Sequence, residues 1–330
     1  MFSNISRSDE YKKRLCDYIR NEYGIVFESI SLTPGGFSTK AAYHVTDIND
    51  VEYFIKIYDK SQPTTRVFVE RIDSYMPVLE WMSVTPELSG RVLTPVKTLH
   101  GAYKTETDAD VYVAFLYVNG YVPGIQGMTR EQTIALAETL AAMHEISGTV
   151  PLDISALSED TSLPFCNRLT QFLAKPDEKH KALNSIVSLH TDLLISAIRK
   201  AYRLRDTIRS RNVPLVLCHG DAHGNNVIQG ECLVLADWED LRLAPAEADL
   251  FIHAWHPHSD LFLESYSDAR HGYQINYELL FFYVLRRRIE DVWVDIQRLT
   301  EESPGEAETE KLLVWTRLGI DEIHGLMLDR

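Results

Sequence analysis

The chain has 330 residues, 45% of them apolar and 25% charged, with 16 Gly and 13 Pro. That composition excludes disordered, collagen-like and disulfide-dense classes, and at this length one core gives way to two domains or lobes. The 33 Lys and Arg against 48 Asp and Glu leave a net charge of −15, a field that repels nucleic acid and anionic membrane and draws in a cationic small molecule.

In chain order, the N-terminal MFSNISRSDEYKKR lacks the apolar core of a signal peptide. Ser8 then caps a predicted amphipathic helix with Tyr11, Leu15, Tyr18 and Ile19, stopped at Gly24. Three predicted strands follow at 25–33, 40–46 and 51–58, separated by Pro34-Gly35-Gly36 and Asp47-Ile48-Asn49-Asp50, so the pattern is an antiparallel meander and not a βαβ unit. Residues 66–82 form a predicted helix through Val67, Ile72, Met76 and Leu79, which Pro77 kinks or shortens. Val111 to Val118 is a further strand running into Asn119-Gly120, where the boundary falls between an N-lobe, 1–118, and a C-lobe, 119–330.

Helices then dominate. Thr129 and Gln132 form a capping box for a helix through Leu136, Leu140 and Met143 to Gly148, and long helical patterns occupy 181–210, 276–300 and 307–329. The longest apolar run, Leu279 to Leu285, is too short to span a bilayer. Cys16, Cys166, Cys218 and Cys232 make no CxxC pair and no zinc spacing, so they read as thiols of a reducing compartment and the expected location is the cytoplasm.

One β-rich island, 214–237, holds the chemistry. It reads Leu217-Cys218-His219-Gly220-Asp221-Ala222-His223-Gly224-Asn225-Asn226-Val227, then Leu235-Ala236-Asp237-Trp238-Glu239. Apolar strands flank polar residues, placing Asp221 and Asn226 on a turn and Asp237 after the next strand. Phosphoryl transfer from ATP needs a carboxylate that accepts the hydroxyl proton, plus amide and carboxylate oxygens that hold Mg²⁺ on the phosphates. His-x-Asp with Asn five residues on, and a metal-binding Asp after a later strand, is the protein-kinase spacing; here Asp237 lies sixteen residues beyond Asp221. The alternative is that Asp221, Asn225 and Asn226 form Asx turns and His219 is a core histidine.

An ATP site also needs a cation and a glycine turn for the phosphates. Lys56 in the apolar strand Tyr53 to Tyr58 is either an edge-strand residue or a functional one. Glu70 on the next helix is its candidate partner, with Asp73 and Glu80 as rivals. Pro34-Gly35-Gly36-Phe37-Ser38 stands where a phosphate-covering loop belongs.

These residues resemble the aminoglycoside phosphotransferase/choline kinase family. His219-Gly220-Asp221-Ala222-His223-Gly224-Asn225-Asn226 is similar to its His-Gly-Asp-x-His-x-x-Asn signature, and Pro245 to Leu250 to its Pro-x₃-Asp-Leu. Within the family the likeness is greatest to spectinomycin-phosphorylating members, through Asp237-Trp238-Glu239-Asp240, Leu243-Ala244-Pro245 and the run Arg288 to Asp291. The resemblance implies an α+β, bilobal protein-kinase-like fold with a small antiparallel-sheet N-lobe and a mainly helical C-lobe. It implies Asp221 as catalytic base, Asn226 and Asp237 as Mg²⁺ ligands, Lys56 on the phosphates and Ser38 in the phosphate loop. The stretch 114–118, with Phe115 and Tyr117, is the implied adenine-reading hinge. There is no GxGxxG, and Trp238-Glu239 replaces Phe-Gly after the metal Asp, which argues against an activation-loop switch.

On the acceptor side, Glu239 and Asp240 either face a cationic acceptor or form a solvated turn. Tyr266 and Tyr273 are candidate stacking aromatics. His253, His256, His258 and His271 fit no zinc spacing, and at least one of Arg286, Arg287 and Arg288 pairs with Glu290, Asp291 or another carboxylate. The expectation is an ATP- and Mg²⁺-dependent O-phosphotransferase, a monomer or weak dimer. Its acceptor is a cationic small molecule, foremost an aminoglycoside or aminocyclitol antibiotic such as spectinomycin. The alternatives are a metabolic kinase of choline, homoserine or a sugar-like alcohol, a protein Ser/Thr kinase, and a non-catalytic nucleotide-binding regulator.

Overall fold

The computed structural model describes residues 9–33, 39–124, 127–175, 179–211, 213–254, 258–302 and 304–328. The chain divides into two compact units. One is Met1–Ser158 with Val216–Leu243 and Trp255–Tyr273; the other is Glu159–Leu215 with Ala244–Ala254 and Gln274–Arg330.

The first unit opens with α1 (Asp9–Tyr23), which ends where the Gly24 N–H closes on the Arg20 carbonyl at 2.9 Å. Its expected cap, Ser8, lies outside the described residues. Strands β1 (Phe27–Thr33), β2 (Ala41–Asp47) and β3 (Glu52–Asp59) pair antiparallel in sequence order. At the β2–β3 turn the Asp47 Oδ1 accepts the N–H groups of Asn49 and Val51 at 2.8 and 2.9 Å. Helix α2 (Pro63–Val84) leads to β4 (Pro95–Val96), β5 (Lys104–Glu106) and β6 (Asp110–Leu116), and the sheet order is β1-β2-β3-β6-β4 with β5 on β6. Leu15 and Ile19 of α1 close one face over Tyr43, Val45, Ile55 and Ile57.

Two expectations change here. Helix α2 is not shortened at Pro77 and runs through it, because Ile72, Tyr75, Met76, Val78, Leu79 and Met82 are all at most 1% exposed. Burial worth about 1.5–3 kcal/mol per large side chain outweighs the ~3 kcal/mol cost of an internal proline. Val67, placed on the apolar face by its spacing, is 59% exposed.

Beyond β6, α3 (Arg130–Ile146) realises the capping box, with Gln132 N–H on Thr129 Oγ1 at 3.3 Å and Thr129 N–H on Gln132 Oε1 at 3.0 Å. The chain then enters the second unit with α4 (Pro164–Ala174), α5 (Lys181–Ser188) and α6 (Thr191–Arg209). The single helix expected over 181–210 is therefore two. Leu183, Ile186, Val187, Leu194, Ala197 and Ile198 are buried in one unbroken helical phase, so periodicity does not register the break at Leu189 and His190. Strands β7 (Val216–Cys218), β8 (Val227–Gln229) and β9 (Leu233–Leu235) return to the first unit, where β8 and β9 form a hairpin. The second unit resumes with the short α7 (Glu247–Leu250), whereas α8 (Ser259–Ala269) packs on α3 in the first.

The long helices α9 (Tyr277–Glu301) and α10 (Glu306–Leu328) complete the second unit, α9 packing against α4, α6, α7 and α10. The three consecutive arginines of α9 are all paired: Arg286 with Glu159 at 2.8 Å, Arg287 with Asp291 at 2.8 Å, and Arg288 with Asp291 at 3.2 Å and Glu322 at 2.7 Å. Also on α9, Asp295 is 7% exposed; burial first, and the nearby Asp291 second, push its carboxyl up to about 7 against the pull of Arg298. A carboxyl raised on folding contributes stability that is complete below its ordinary pKa of 3.8 and is lost as pH rises through about 7. Asp295→Asn should therefore stabilise the protein at pH 8 by on the order of 2 kcal/mol, with the gain shrinking toward pH 4. Urea midpoints across that range check this; a gain that is constant with pH contradicts it.

Candidate active site

The site forms within the first unit, where β7 delivers His219 and Asp221. The His219 ring is fully buried, edge-on to Trp238 at 4.6 Å. Its Nδ1 accepts the Asp221 N–H at 3.2 Å and its Nε2 donates to the Ala236 carbonyl at 2.9 Å. One side chain thus ties the Asp221 loop to the strand that ends in Asp237. Gly220 has φ +84°, and a Cβ there would stand 2.6 Å from the Arg242 guanidinium and 2.8 Å from the Asp240 carbonyl. The position takes glycine for both reasons.

Asn226 Nδ2 donates to the Asp221 carbonyl and to Asp221 Oδ2, both at 2.8 Å. Two acceptors on one side orient the amide, leaving Oδ1 as the donor atom that it can present to a cation. His223 Nδ1 accepts the Asn225 N–H at 3.2 Å, and its Nε2 lies 3.4 Å from Asp221 Oδ2. Ala236 N–H donates to the Asn226 carbonyl at 2.8 Å, joining the loop to the Asp237 strand a second time.

Asp237 has φ +70°, a left-handed conformation that Asp and Asn tolerate better than other side chains. Its Oδ1 receives Lys56 Nζ at 2.5 Å. Lys56 sits on β3 between Ala42 of β2 and Val113 of β6 and is 4% exposed, so the edge-strand alternative fails. Its ammonium also donates to Glu239 Oε1, which receives the Tyr58 hydroxyl as well. Burial works against the ammonium, but Asp237 and Glu239 more than offset it and hold Lys56 above its ordinary range. Burial likewise raises both carboxyls. For Asp237 the Lys56 charge wins and holds it below the ordinary value, whereas Glu239, with Asp237 beside it, stays raised. Asp221 is near enough to act on Asp237 electrostatically, so the two halves of the island share one field.

Several sequence expectations are redirected by this geometry. Glu70 is exposed, and among the described residues the carboxylates on Lys56 are Asp237 and Glu239. The rivals are engaged elsewhere, Asp73 with Lys104 at 2.8 Å and Glu80 with Lys97 at 2.7 Å and the Tyr103 hydroxyl at 2.5 Å. Glu239 and Asp240 do not form a free anionic face for an acceptor: Glu239 is 6% exposed on Lys56, and Asp240 is paired with Arg242 and lies 3.5 Å from Arg71. A cation offered to either would have to displace a resident one. Tyr266 is fully buried, its hydroxyl bonded to His144 at 2.6 Å and to Arg270 at 2.7 Å, so its ring is not presented for stacking, and Arg270 also lies over one face of the half-buried Tyr273.

Phe115 is buried within β6, and one face of the half-buried Tyr117 ring stacks on His44 at 3.8 Å. The backbone of β6 is paired with β3 on one side and with β4 and β5 on the other. Just beyond it, Tyr121 and Gln229 exchange hydrogen bonds of 3.1 and 2.8 Å, and a Cβ on Gly120 would lie 2.5 Å from the Gln229 carbonyl. This close approach fastens the segment after β6 to the β8–β9 hairpin. Ser38 and its glycine turn, with His256, lie outside the described residues, and His253 is buried while His271 is exposed. Sequence reasoning missed Tyr58 and Arg71. Tyr58 carried a signal, standing two residues after Lys56 and so on the same face of the strand.

A two-part fold with a small antiparallel sheet, and a His-Gly-Asp loop joined to an Asp that meets a buried strand lysine, define the kinase-like class of phosphotransferases. The model of the phosphotransferase enzyme family matches residues 29–280, and the chain belongs to that family. It is a phosphotransferase. Among solved structures, spectinomycin phosphotransferase in complex with ADP and spectinomycin is similar at a TM-score of 0.72 and 19% identity, over 96% of this chain and 98% of that one. Ethanolamine kinase from Plasmodium vivax is similar at a TM-score of 0.66 and 16% identity, over 98% and 92%. An amicoumacin kinase in complex with AMP-PNP, Ca²⁺ and Ami is similar at 0.64 and 12%, over 97% and 98%. No curated protein sequence matches. No helix among the described residues is long and apolar enough to cross a membrane.

Proposed function

We propose that the protein transfers the γ-phosphoryl group of ATP to a hydroxyl of a cationic small molecule, with Mg²⁺. The observation that carries this reading is the convergence of two hydrogen-bonded pairs, Asp221 with Asn226 and Asp237 with Lys56, close enough that Asp221 acts on Asp237 electrostatically. The Asn226 amide oxygen and the Asp237 carboxylate are hard oxygen donors suited to Mg²⁺, which would neutralise charge on the transferring phosphates. Asp221 accepts the acceptor's proton, with Asn226 orienting its carboxylate. Lys56 binds the α- and β-phosphates. The peptide groups that follow β6 read adenine, and the segments 1–118 and 119–330 act as nucleotide-binding and acceptor-binding lobes.

The acceptor class rests on two supports. The net charge of −15 favours a cation, and the similar structures hold or are named for spectinomycin and ethanolamine, both amines bearing hydroxyls. An aminocyclitol antibiotic is the first reading; the likeness to an ethanolamine kinase supports a second, a metabolic amino-alcohol kinase. With Glu239 and Asp240 occupied by protein cations, other carboxylates hold the amine. A coupled ADP-release assay with spectinomycin, larger aminoglycosides, ethanolamine, choline, homoserine and a neutral polyol decides between them. An amine-bearing acceptor should give the highest kcat/KM, with KM rising as salt goes from 0.1 to 1 M and the Debye length falls from about 10 to about 3 Å. Preference for the neutral polyol, with KM indifferent to salt, would refute the cationic acceptor and leave phosphoryl transfer standing.

A further inference from the structure

A buried ammonium needs a counter-charge that stays in place while the site works. On the reading above Asp237 has a second duty as a metal ligand, and Glu70 is exposed, so neither supplies a permanent partner for Lys56. Glu239 meets the requirement. Its carboxylate is buried on Lys56 Nζ, and it accepts the hydroxyl of Tyr58 from the same strand. The turn that carries it, 238–240, is gripped through its backbone by helix α2: Arg71 Nη1 donates to the Glu239 carbonyl at 3.0 Å and Nη2 to the Leu241 carbonyl at 2.5 Å.

We infer that Glu239 is the positioning residue for Lys56, doing from the turn after Asp237 what the sequence assigns to a carboxylate of helix α2. This rests on the phosphotransfer reading above. Helix α2 contributes a guanidinium in place of a carboxylate: it clamps the turn, the turn presents Glu239, and Glu239 with Tyr58 points the ammonium. The same contacts weigh against Glu239 as a metal ligand, since turning toward a cation would take it from both Lys56 and Tyr58.

The test is a double-mutant cycle of Glu239→Gln and Lys56→Met in the full chain. In thermal unfolding without nucleotide or metal, Glu239→Gln should lower the midpoint of the wild type. In the Lys56→Met background, where the carboxylate has lost its cation, it should leave the midpoint unchanged or raise it. With saturating ATP, Glu239→Gln should cut kcat at least 10-fold in the wild type and less than 2-fold beside Lys56→Met. The Mg²⁺ concentration for half-maximal rate should stay within 2-fold. Tyr58→Phe, combined with Lys56→Met in the same way, replaces Glu239→Gln if that variant does not fold. Equal losses in both backgrounds, or a Mg²⁺ requirement raised 10-fold or more, overturn the inference. A wild type that phosphorylates no acceptor defeats the reading of the site, while the unfolding cycle still decides whether Glu239 holds Lys56.

Discussion

Asp221→Asn is expected to lower kcat by about 10²–10⁴-fold, the usual worth of a general base, while ADP affinity stays within a few-fold of wild type. The substitution preserves shape. Asn can turn its carbonyl oxygen toward Asn226 Nδ2, which in the wild type donates to Asp221 Oδ2 at 2.8 Å, and the backbone N–H to His219 Nδ1 is untouched. What is lost is a carboxylate able to take the acceptor's proton. Steady-state kinetics with calorimetry of ADP check this, and a loss of nucleotide affinity as large as the loss of turnover would assign Asp221 to binding.

Asp237→Asn is expected to lower kcat/KM for Mg·ATP by about 10³-fold, several kcal/mol, if this carboxylate holds the metal that neutralises the phosphates. Asn is the right probe because it tolerates the φ of +70° that Asp237 adopts, where alanine would add backbone strain. The sign differs without metal. Asp237 pairs with Lys56 at 2.5 Å, so its neutralisation frees part of the ammonium and should leave metal-free ADP binding unchanged or tighter. Paired titrations in Mg²⁺ and in EDTA should thus show the metal's contribution collapse. Equal weakening in both would place Asp237 on the nucleotide and remove it from the metal.

The core of the site was legible because it is local. His219, Asp221 and Asn226 fall within eight consecutive residues between two short strands, and the hydrogen bonds among these three span five residues or fewer. The meander, the capping box at Thr129 and the stop at Gly24 were legible for the same reason, since turn chemistry and caps act over a few residues. The full length of the helix through Pro77 and the break at Leu189 were not, one decided by the core packed around α2 and the other hidden by a continuous apolar phase.

By itself the sequence determined the family, the antiparallel sheet followed by helices, and the carboxylates and lysine of the candidate centre, because spacing along the chain encodes all of these. Only the tertiary structure decided which carboxylate meets Lys56. Glu70 lies fourteen residues away and is exposed, whereas Glu239 lies 183 residues away and is buried on the ammonium. A buried charge selects its partner through burial and distance in space, and neither quantity can be read from separation in sequence. The same physics gives Glu239 and Asp240 protein partners that the sequence does not reveal: folding places Lys56 against the first and Arg71 and Arg242 against the second.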